Sequence, residues 1–289
     1  MGKDIYQQFA EARQVIDECD EALGGGLRDI MFKGPQEALT LTANTQPAIL
    51  CVSIALLRVI EKSLGFQVKD CSYALGHSLG EYSALVATGA LQLRDAIQLV
   101  RLRGQAMQSC ISNKETAMRA LLTQGDHLDE IEDIVKDMQQ WIKQHDEVAE
   151  IANINSRTQI VLSGTQKGVE YAVSLIHSKG YTGRSLPLPV SAPFHCSLMQ
   201  PAADSMQSAL AKTRFSLPSI DVISNVTGKP FERHDEIGAL LTKQITHPVQ
   251  WDRCVRYAKD GFVFDWIVVG PSRVLYNLIR KEFPHDSVR

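Results

Sequence analysis

The chain has 289 residues, of which 44% are hydrophobic and 22% charged, and its formal net charge is −3. This composition predicts a globular fold with a sizeable core and excludes a low-complexity or disordered chain. Nucleic acid and anionic membrane surfaces are not favoured as partners, because their phosphates attract proteins with a clear excess of Lys and Arg. The longest apolar stretch, residues 48–57, is too short for a membrane span, which takes about 20 residues.

The N-terminus and the cysteines bear on the compartment. The first six residues contain neither an apolar signal core nor an Arg/Ser-rich presequence. The six cysteines are widely spaced and form no C-x-x-C pair, which predicts free thiols in a reducing compartment. The bacterial cytoplasm and the mitochondrial matrix both agree with this pattern.

The two outer parts of the chain alternate helices with short apolar strands. The predicted helices cover residues 46–63, 82–87, 93–110 and 196–213, and the predicted strands cover 72–75, 222–224 and 265–269. This alternation predicts an α/β fold with a mostly parallel sheet, in which chemistry sits at the carboxyl ends of the strands. The triple glycine at 24–26 indicates a helix C-terminus and not a phosphate loop, because no Lys-Ser/Thr follows it.

The pattern of predicted helices and strands changes near Glu115 and again near Pro187, so the middle of the chain differs from the two outer parts. The pattern there is β-α-β-β-α-β, with strands at 118–122, 148–154, 159–163 and 181–186 and helices at 128–145 and 168–179. That order is ferredoxin-like. We therefore predict a discontinuous large domain over residues 1–115 and 187–289 and a small ferredoxin-like subdomain over 116–186. The acidic residues between 126 and 137 alternate with apolar ones and are interpreted as a solvated helix face, not a cation site.

A candidate nucleophile lies in the segment Gly76-His77-Ser78-Leu79-Gly80, which follows an apolar strand and leads into a helix. The bare G-x-S-x-G pattern is weak, but in this context it predicts a nucleophile elbow. Ser78 would project at the helix N-terminus, where the N–H of Leu79 can meet a developing oxyanion. The alternative is a serine that only caps the helix after a tight turn.

His195 is the candidate base, because a serine hydroxyl is a poor nucleophile without one. It follows a loop stiffened by Pro187, Pro189 and Pro193, and rigid loops suit a positioned base. Five other histidines lie among charged or turn residues, His77 lies inside the elbow, and His247 precedes a proline. A purely structural histidine remains the alternative for His195.

Arg103 is a cation on the core-facing stripe of the helix predicted at 93–110. Positions three and four residues to either side of it carry no carboxylate, so its partner must come from elsewhere. A ligand carboxylate would fit the guanidinium fork, and a distant Asp or Glu would fit as well.

Together these residues resemble the malonyl-CoA:acyl carrier protein transacylases of type II fatty acid synthesis and the acyltransferase domains of larger synthases. The resemblance runs through almost the entire chain, in the family's order. Its blocks are T-Q-P-A at 45–48, G-H-S-L-G-E-Y at 76–82, R-G at 103–104 with M-Q at 107–108, P-L-P-V-S at 187–191 with F-H at 194–195, S-N-V at 224–226, P-V-Q-W at 248–251 and G-P at 270–271.

The resemblance implies an α/β-hydrolase-like large domain interrupted by a ferredoxin-like insert. It makes Ser78 the nucleophile and His195 the base, with the imidazole held by a backbone carbonyl and not by an acid. The residues implied to orient the imidazole are Gln244, through that carbonyl, and Asn225. The residues implied to bind substrate are Arg103, which would clamp the malonyl carboxylate, Leu79, Gln46 and Phe194.

The activity implied is a ping-pong transfer of malonyl from malonyl-CoA to the phosphopantetheine thiol of acyl carrier protein, by a monomer that needs no metal and no cofactor. The Phe194-His195 pair resembles malonyl-selective domains, in which an aromatic ring crowds an α-methyl branch. We therefore expect malonyl to be preferred over methylmalonyl, by about 1–3 kcal/mol at most.

One feature departs from the family. Its members open with an apolar strand and a Gly-Gln-Gly loop that supplies a second oxyanion donor, and nothing before Tyr6 matches that strand. We therefore expect a sequence that begins just after this strand. One alternative to an active transacylase is then a truncated, weakly active or inactive homologue that binds its ligands without turnover. A serine hydrolase or thioesterase is the other, although it would usually supply an acid after the nucleophile and would not need Arg103.

Overall fold

The computed structural model describes residues 1–110 and 114–289. The helices there are α1 (Lys3–Gln8), α2 (Ala10–Ala22), α3 (Leu27–Lys33), α4 (Gln36–Thr40), α5 (Thr42–Leu64), α6 (Leu79–Ala87), α7 (Leu93–Ser109), α8 (Leu128–Asp137), α9 (Gln139–His145), α10 (Gln166–Ser178), α11 (Gln200–Lys212), α12 (Ile237–Gln244), α13 (Trp251–Asp260) and α14 (Val274–Glu282). The strands are β1 (Tyr73–Ala74), β2 (Thr116–Thr123), β3 (Ala149–Ser156), β4 (Gln159–Thr165), β5 (Thr182–Pro187), β6 (Asp221–Val222), β7 (Asp265–Trp266) and β8 (Ser287–Val288).

The middle of the chain builds a small α/β unit with its own sheet. Its four strands lie in the order β3-β4-β2-β5, and every neighbouring pair is antiparallel. With α8, α9 and α10 between the strands, this is the predicted ferredoxin-like arrangement. The helix predicted over 128–145 divides into α8 and α9 at Met138, whose ψ of −3° departs from the helical value. The domain boundaries at 115/116 and 186/187 stay a prediction.

The core of this small unit forms between the helices and one face of the sheet. Ile131 and Val135 of α8 and Ile176 of α10 are buried against sheet residues such as Leu121 and Ile160. The acidic side chains on α8 lie mainly at the surface, as expected for a solvated helix face.

The two outer segments contribute the larger core, which is formed mostly by helices. Helix α5 packs against α2, α6 and α7, and α11 packs against α7 and α12. The apolar stripe of α7 faces this core and carries Arg103 into it. The helix α2 ends just before the triple glycine, as predicted, because the amides of Gly24 and Gly25 bond back to carbonyls of its last turn.

The parallel pairing expected in the large part is present, but as two short ladders. Strand β1 runs parallel to β6, and β7 runs parallel to β8. The predicted strand 265–269 ends at Trp266, and β8 was not predicted. The short strands predicted at 72–75, 222–224 and 265–269 are shorter still, since β1, β6 and β7 have two residues each in the part of the chain that is described.

A bridge connects the small unit to the large part close to the candidate nucleophile. Val249 pairs with β3, because its N–H donates to Ala152 O at 2.9 Å and its carbonyl accepts from Ile154 N–H at 3.0 Å. Helix α13 begins two residues later and packs on the same strand.

The six cysteines are all free thiols, as expected. None of the described helices is both long enough and apolar enough to span a bilayer.

Candidate active site

The turn between β1 and α6 has the geometry of a nucleophile elbow. Ser78 occupies φ 53° and ψ −105°, a left-handed backbone conformation that costs a non-glycine residue about 1–3 kcal/mol. The turn is tight, since a Cβ on Gly76 would lie 2.1 Å from the main chain of Gly80. The Ser78 side chain makes no capping bond to α6. The capping interpretation is therefore wrong, and the hydroxyl is free to face the site.

The Ser78 hydroxyl points at the imidazole of His195. Ser78 Oγ lies 2.8 Å from His195 Nε2, and His195 Nδ1 lies 2.8 Å from the backbone oxygen of Gln244. A carbonyl oxygen can only accept, so Nδ1 carries the proton and Nε2 is left to accept the Ser78 proton. The structure thus contains the imidazole contact with the Gln244 carbonyl that the resemblance implies.

The imidazole is held in its neutral form by its surroundings. His195 is 4% exposed. Burial lowers its pKa to about 3, and the positive charge of Arg103 acts in the same direction, while the hydrogen bond to Gln244 opposes both. A neutral imidazole is the form that can accept a proton.

The guanidinium of Arg103 also contacts the Ser78 hydroxyl. Arg103 Nη2 donates to Ser78 Oγ at 3.0 Å and to Gln244 Oε1 at 2.9 Å. Arg103 Nη1 donates to Gln46 Oε1 at 2.7 Å, and the guanidinium lies 5.8 Å from the ring centroid of Tyr82. This arrangement surrounds a 2% exposed cation with neutral oxygen atoms and one aromatic ring.

Arg103 has no carboxylate partner within the described parts of the chain, because no Asp or Glu oxygen there lies within 4.0 Å of it. Its Nε–H also finds no hydrogen-bond partner there. The sequence left two partners open for Arg103, a ligand carboxylate and an Asp or Glu of the chain itself. The described structure contains no ion pair of the second kind. Buried charges are normally paired, so a cation arranged in this way is suited to an anionic ligand.

The two predicted amide residues near the imidazole have different contacts. Gln244 holds His195 through its carbonyl, and its side-chain Nε2 donates to Ser78 O at 3.1 Å. Asn225 instead accepts a hydrogen bond from Ser78 N–H at 2.6 Å and donates to Gly76 O at 2.8 Å. The prediction that Asn225 orients the imidazole is corrected, because its side chain fixes the main chain of the elbow.

The remaining predicted residues line the same region. Leu79 is the first residue of α6, so its N–H has no helical carbonyl to bond and can serve as a donor. Phe194 precedes His195, is half-buried, and packs against both the large core and the sheet of the small unit. Their roles toward a substrate stay predictions.

Two residues near Ser78 were missed by the sequence reasoning. Glu81 is fully buried, and its Oε2 accepts hydrogen bonds from Asn225 N–H at 3.0 Å and from Gln244 Nε2 at 2.8 Å. His77 Nε2 lies 2.9 Å from Asn155 Oδ1 of β3, which ties the elbow to the small unit. The available signal for Glu81 was a single carboxyl group on helix α6, whose other buried side chains are apolar or aromatic.

Among the described side chains, no group of three or more His, Cys, Asp or Glu residues could hold a metal ion. The fold and the geometry define a class of enzyme in which a serine at a nucleophile elbow is paired with a histidine and faces a buried arginine.

Comparison with known proteins identifies the family. The family model for the acyl transferase domain matches residues 1–269, and the chain belongs to that family. It is 38% identical over 281 residues to the malonyl CoA-acyl carrier protein transacylase of Bacillus subtilis (strain 168), a match that covers 97% of this chain and 85% of the relative.

Solved structures agree with this assignment. The acyl-carrier-protein-S-malonyltransferase of Bartonella henselae superimposes with a TM-score of 0.91 at 40% identity, covering 100% of this chain and 89% of that one. A malonyl-transacylase solved in complex with a type II PKS acyl-carrier protein matches with a TM-score of 0.90 at 34% identity, covering 100% and 90%. The predicted fold class, with a large α/β part and a small ferredoxin-like part, is confirmed, and the chain is an acyltransferase.

Proposed function

We propose that this acyltransferase moves the malonyl group from malonyl-CoA to the phosphopantetheine thiol of an acyl carrier protein, through a malonyl ester on Ser78. One observation carries the proposal: the same hydroxyl lies 2.8 Å from a neutral imidazole nitrogen and 3.0 Å from a buried guanidinium that has no carboxylate partner among the described residues. The names of the relatives support the substrate pair.

The first half-reaction forms the ester. His195 Nε2 takes the hydroxyl proton as Ser78 Oγ attacks the thioester carbonyl, and the Leu79 N–H stabilises the oxyanion at the start of α6. When the C–S bond breaks, the imidazolium returns the proton to the departing CoA thiol. The Gln244 carbonyl keeps Nδ1 protonated throughout and stabilises the transient positive charge.

Arg103 binds the far end of the acyl group in this proposal. A guanidinium holds a carboxylate through two parallel hydrogen bonds: the Arg103 Nε–H has no partner among the described residues, and the second donor would be Nη2, released from Ser78 Oγ. Gln46 and Gln244 keep the guanidinium in place through its Nη1 and Nη2 groups. The malonyl ester would then be fixed with its carbonyl beside His195, where water is poorly placed to attack.

The second half-reaction reverses the first with a new thiol. CoA leaves, the phosphopantetheine thiol enters, and His195 takes its proton as sulfur attacks the ester carbonyl. Collapse of the tetrahedral intermediate breaks the bond to Ser78 Oγ, which recovers its proton from the imidazolium. The cycle needs only the chain's own groups and two thiols, so we propose no cofactor, and the monomeric state and the compartment remain predictions.

The two alternatives are weaker. A serine hydrolase or thioesterase would usually hold the imidazole with Asp or Glu, whereas His195 Nδ1 meets a backbone carbonyl here. An inactive homologue has no use for a serine, an imidazole and a guanidinium within hydrogen-bond distance of one another.

Intact-mass spectrometry after mixing the protein with malonyl-CoA tests the proposal. We expect a malonyl adduct that is absent in Ser78→Ala and is discharged by an acyl carrier protein with its phosphopantetheine arm, but not by the same carrier lacking the arm. Release of free malonate without carrier would indicate a hydrolase. A protein that forms no adduct would contradict the proposal.

A further inference from the structure

Glu81 is a buried carboxyl group that the catalytic cycle does not use. It lies three residues after Ser78 on α6, where the other buried positions are Leu79, Tyr82, Ala84, Leu85 and Val86. Its Oε1 has no hydrogen-bond partner in the described structure. A half-satisfied buried carboxyl destabilises a fold compared with an apolar side chain, so stability does not account for its presence.

The bonds of Glu81 decide which way the Gln244 amide faces. Gln244 Nε2 donates to Glu81 Oε2 and to Ser78 O; the backbone carbonyl can only accept, and Oε2 acts as an acceptor because the Asn225 N–H also donates to it. The amide oxygen is thereby turned toward Arg103, whose Nη2 donates to it at 2.9 Å. With the amide reversed, an NH₂ group would face the guanidinium, and two donors would meet without an acceptor.

The same oxygen of Glu81 also anchors the support of the elbow. It accepts from Asn225 N–H at 3.0 Å, and the Asn225 side chain accepts from Ser78 N–H at 2.6 Å. One carboxyl oxygen therefore connects the two residues that hold the nucleophile's main chain and the guanidinium.

We propose that Glu81 is a positioning residue, which orients the Gln244 amide and through it places Arg103 for the acyl carboxylate. The proposal rests on the proposed function for the identity of the acyl group. The hydrogen-bond arrangement predicts that Glu81 and Gln244 act as one unit, and that an amide can replace the carboxyl at position 81. In Glu81→Gln the new amide oxygen can accept both hydrogen bonds, because both neighbours are donors.

A double-mutant cycle tests this coupling. The variants are Glu81→Ala, Gln244→Ala, the double variant and the conservative Glu81→Gln; Gln244→Ala leaves the backbone carbonyl that holds His195. The control is Val86→Ala, which truncates another buried side chain of α6. The measurements are the rate of malonyl adduct formation as a function of malonyl-CoA concentration, the same rate with acetyl-CoA, and Tm.

We expect each single alanine variant to slow malonylation by up to about 100-fold, since small misplacements in an active site cost that much. The double variant should be no slower than the slower single variant, acetylation should fall less than malonylation, and Glu81→Gln should stay within about threefold of wild type. Val86→Ala should lower Tm without slowing malonylation of the folded protein.

Three results would overturn the proposal: independent losses that multiply in the double variant, a Glu81→Ala protein as fast as wild type, or a Glu81→Gln protein as slow as Glu81→Ala. If the wild-type protein forms no malonyl adduct, the proposed function fails, and the cycle is then measured through labelling of Ser78 by a fluorophosphonate. The labelling rates are then expected to show the same non-additivity, because Glu81 also positions the elbow through Asn225. Labelling losses that multiply in the double variant would overturn the positioning role independently of the proposed function.

Discussion

The imidazole and the guanidinium that meet at Ser78 Oγ are both buried, yet their charges are treated in opposite ways. His195 is kept neutral, because burial and the nearby cation both lower its pKa. Arg103 also has its pKa lowered by burial, but a guanidinium remains protonated in proteins, and here it is surrounded by the amide oxygens of Gln46 and Gln244. The fixed positive charge therefore belongs to the guanidinium alone. The neutral imidazole can accept the proton of the Ser78 hydroxyl.

The largest effect is expected on the imidazole side. His195→Ala should slow malonyl adduct formation by about 10²–10⁴-fold, because the proton of Ser78 then has no base to accept it. Rapid-quench mass spectrometry at saturating malonyl-CoA measures this step directly. The matched control is His177→Ala, which removes an exposed histidine of α10. A loss of less than about tenfold would show that His195 is not the base.

Arg103 should make the enzyme prefer acyl groups that carry a carboxylate over neutral ones. Arg103→Ala should lower kcat/KM for malonyl-CoA by about 100-fold, since two hydrogen bonds to a charged group are lost, and should spare acetyl-CoA. Arg103→Lys should recover only part of the loss, because an ammonium cannot bind a carboxylate bidentately. Arg101→Ala, on the same helix but bonded to Asn44, is the control. Equal losses for the two donors would make Arg103 a structural residue.

The pH dependence of stability should also differ between the two sides. Burial raises the pKa of Glu81 to about 7 from 4.5, although its hydrogen bonds and Arg103 oppose the shift; the pKa of His195 is lowered to about 3 from 6.5. Between pH 4.5 and 6.5 the folded state binds the Glu81 proton more tightly than the unfolded chain, so this group makes stability fall as pH rises. His195 binds its proton less tightly when folded, so it makes stability rise over the same window.

In the wild type these two slopes, each about 1.4 kcal/mol per pH unit, oppose one another. Relative to wild type, Glu81→Gln should therefore gain stability with rising pH and His195→Asn should lose it. Urea unfolding at several pH values across this window measures both. Val86→Ala should shift stability by the same amount at every pH. Parallel curves for all the proteins would show that neither group has the shifted pKa described here.

Unusual local sequence features made the three groups at the centre of the site candidates, each with a structural alternative left open, and the family resemblance assigned their roles. Ser78 stands between glycines after a strand, His195 follows a proline-stiffened loop, and Arg103 is a cation on an apolar stripe. Such exceptions tend to mark functional positions. The same reasoning applied to α6 would have singled out Glu81, the one carboxyl group on a helix whose buried side chains are otherwise apolar or aromatic.

The contacts between segments that are distant in the chain were harder to predict from the sequence. Asn225 was expected beside the imidazole, yet it bonds to Ser78 N–H, which is 147 positions away in the sequence. The fold shows the same division. The ferredoxin-like order of the small unit follows from local periodicity, whereas the strands of the large part are two residues long, and their apolar runs do not specify where pairing stops.

The smallest effect is expected at Phe194, on the imidazole side of the hydroxyl. Its ring is half-buried between the large core and the sheet of the small unit and directly precedes His195. If this ring crowds an α-methyl branch, wild type should prefer malonyl-CoA over methylmalonyl-CoA, and Phe194→Ala should narrow the ratio of kcat/KM by about tenfold. Phe215→Ala, which truncates a buried ring of the large core, should leave the ratio unchanged. Equal kcat/KM for the two donors in wild type would contradict a steric role for Phe194, and acyl selectivity would then come from the guanidinium side alone.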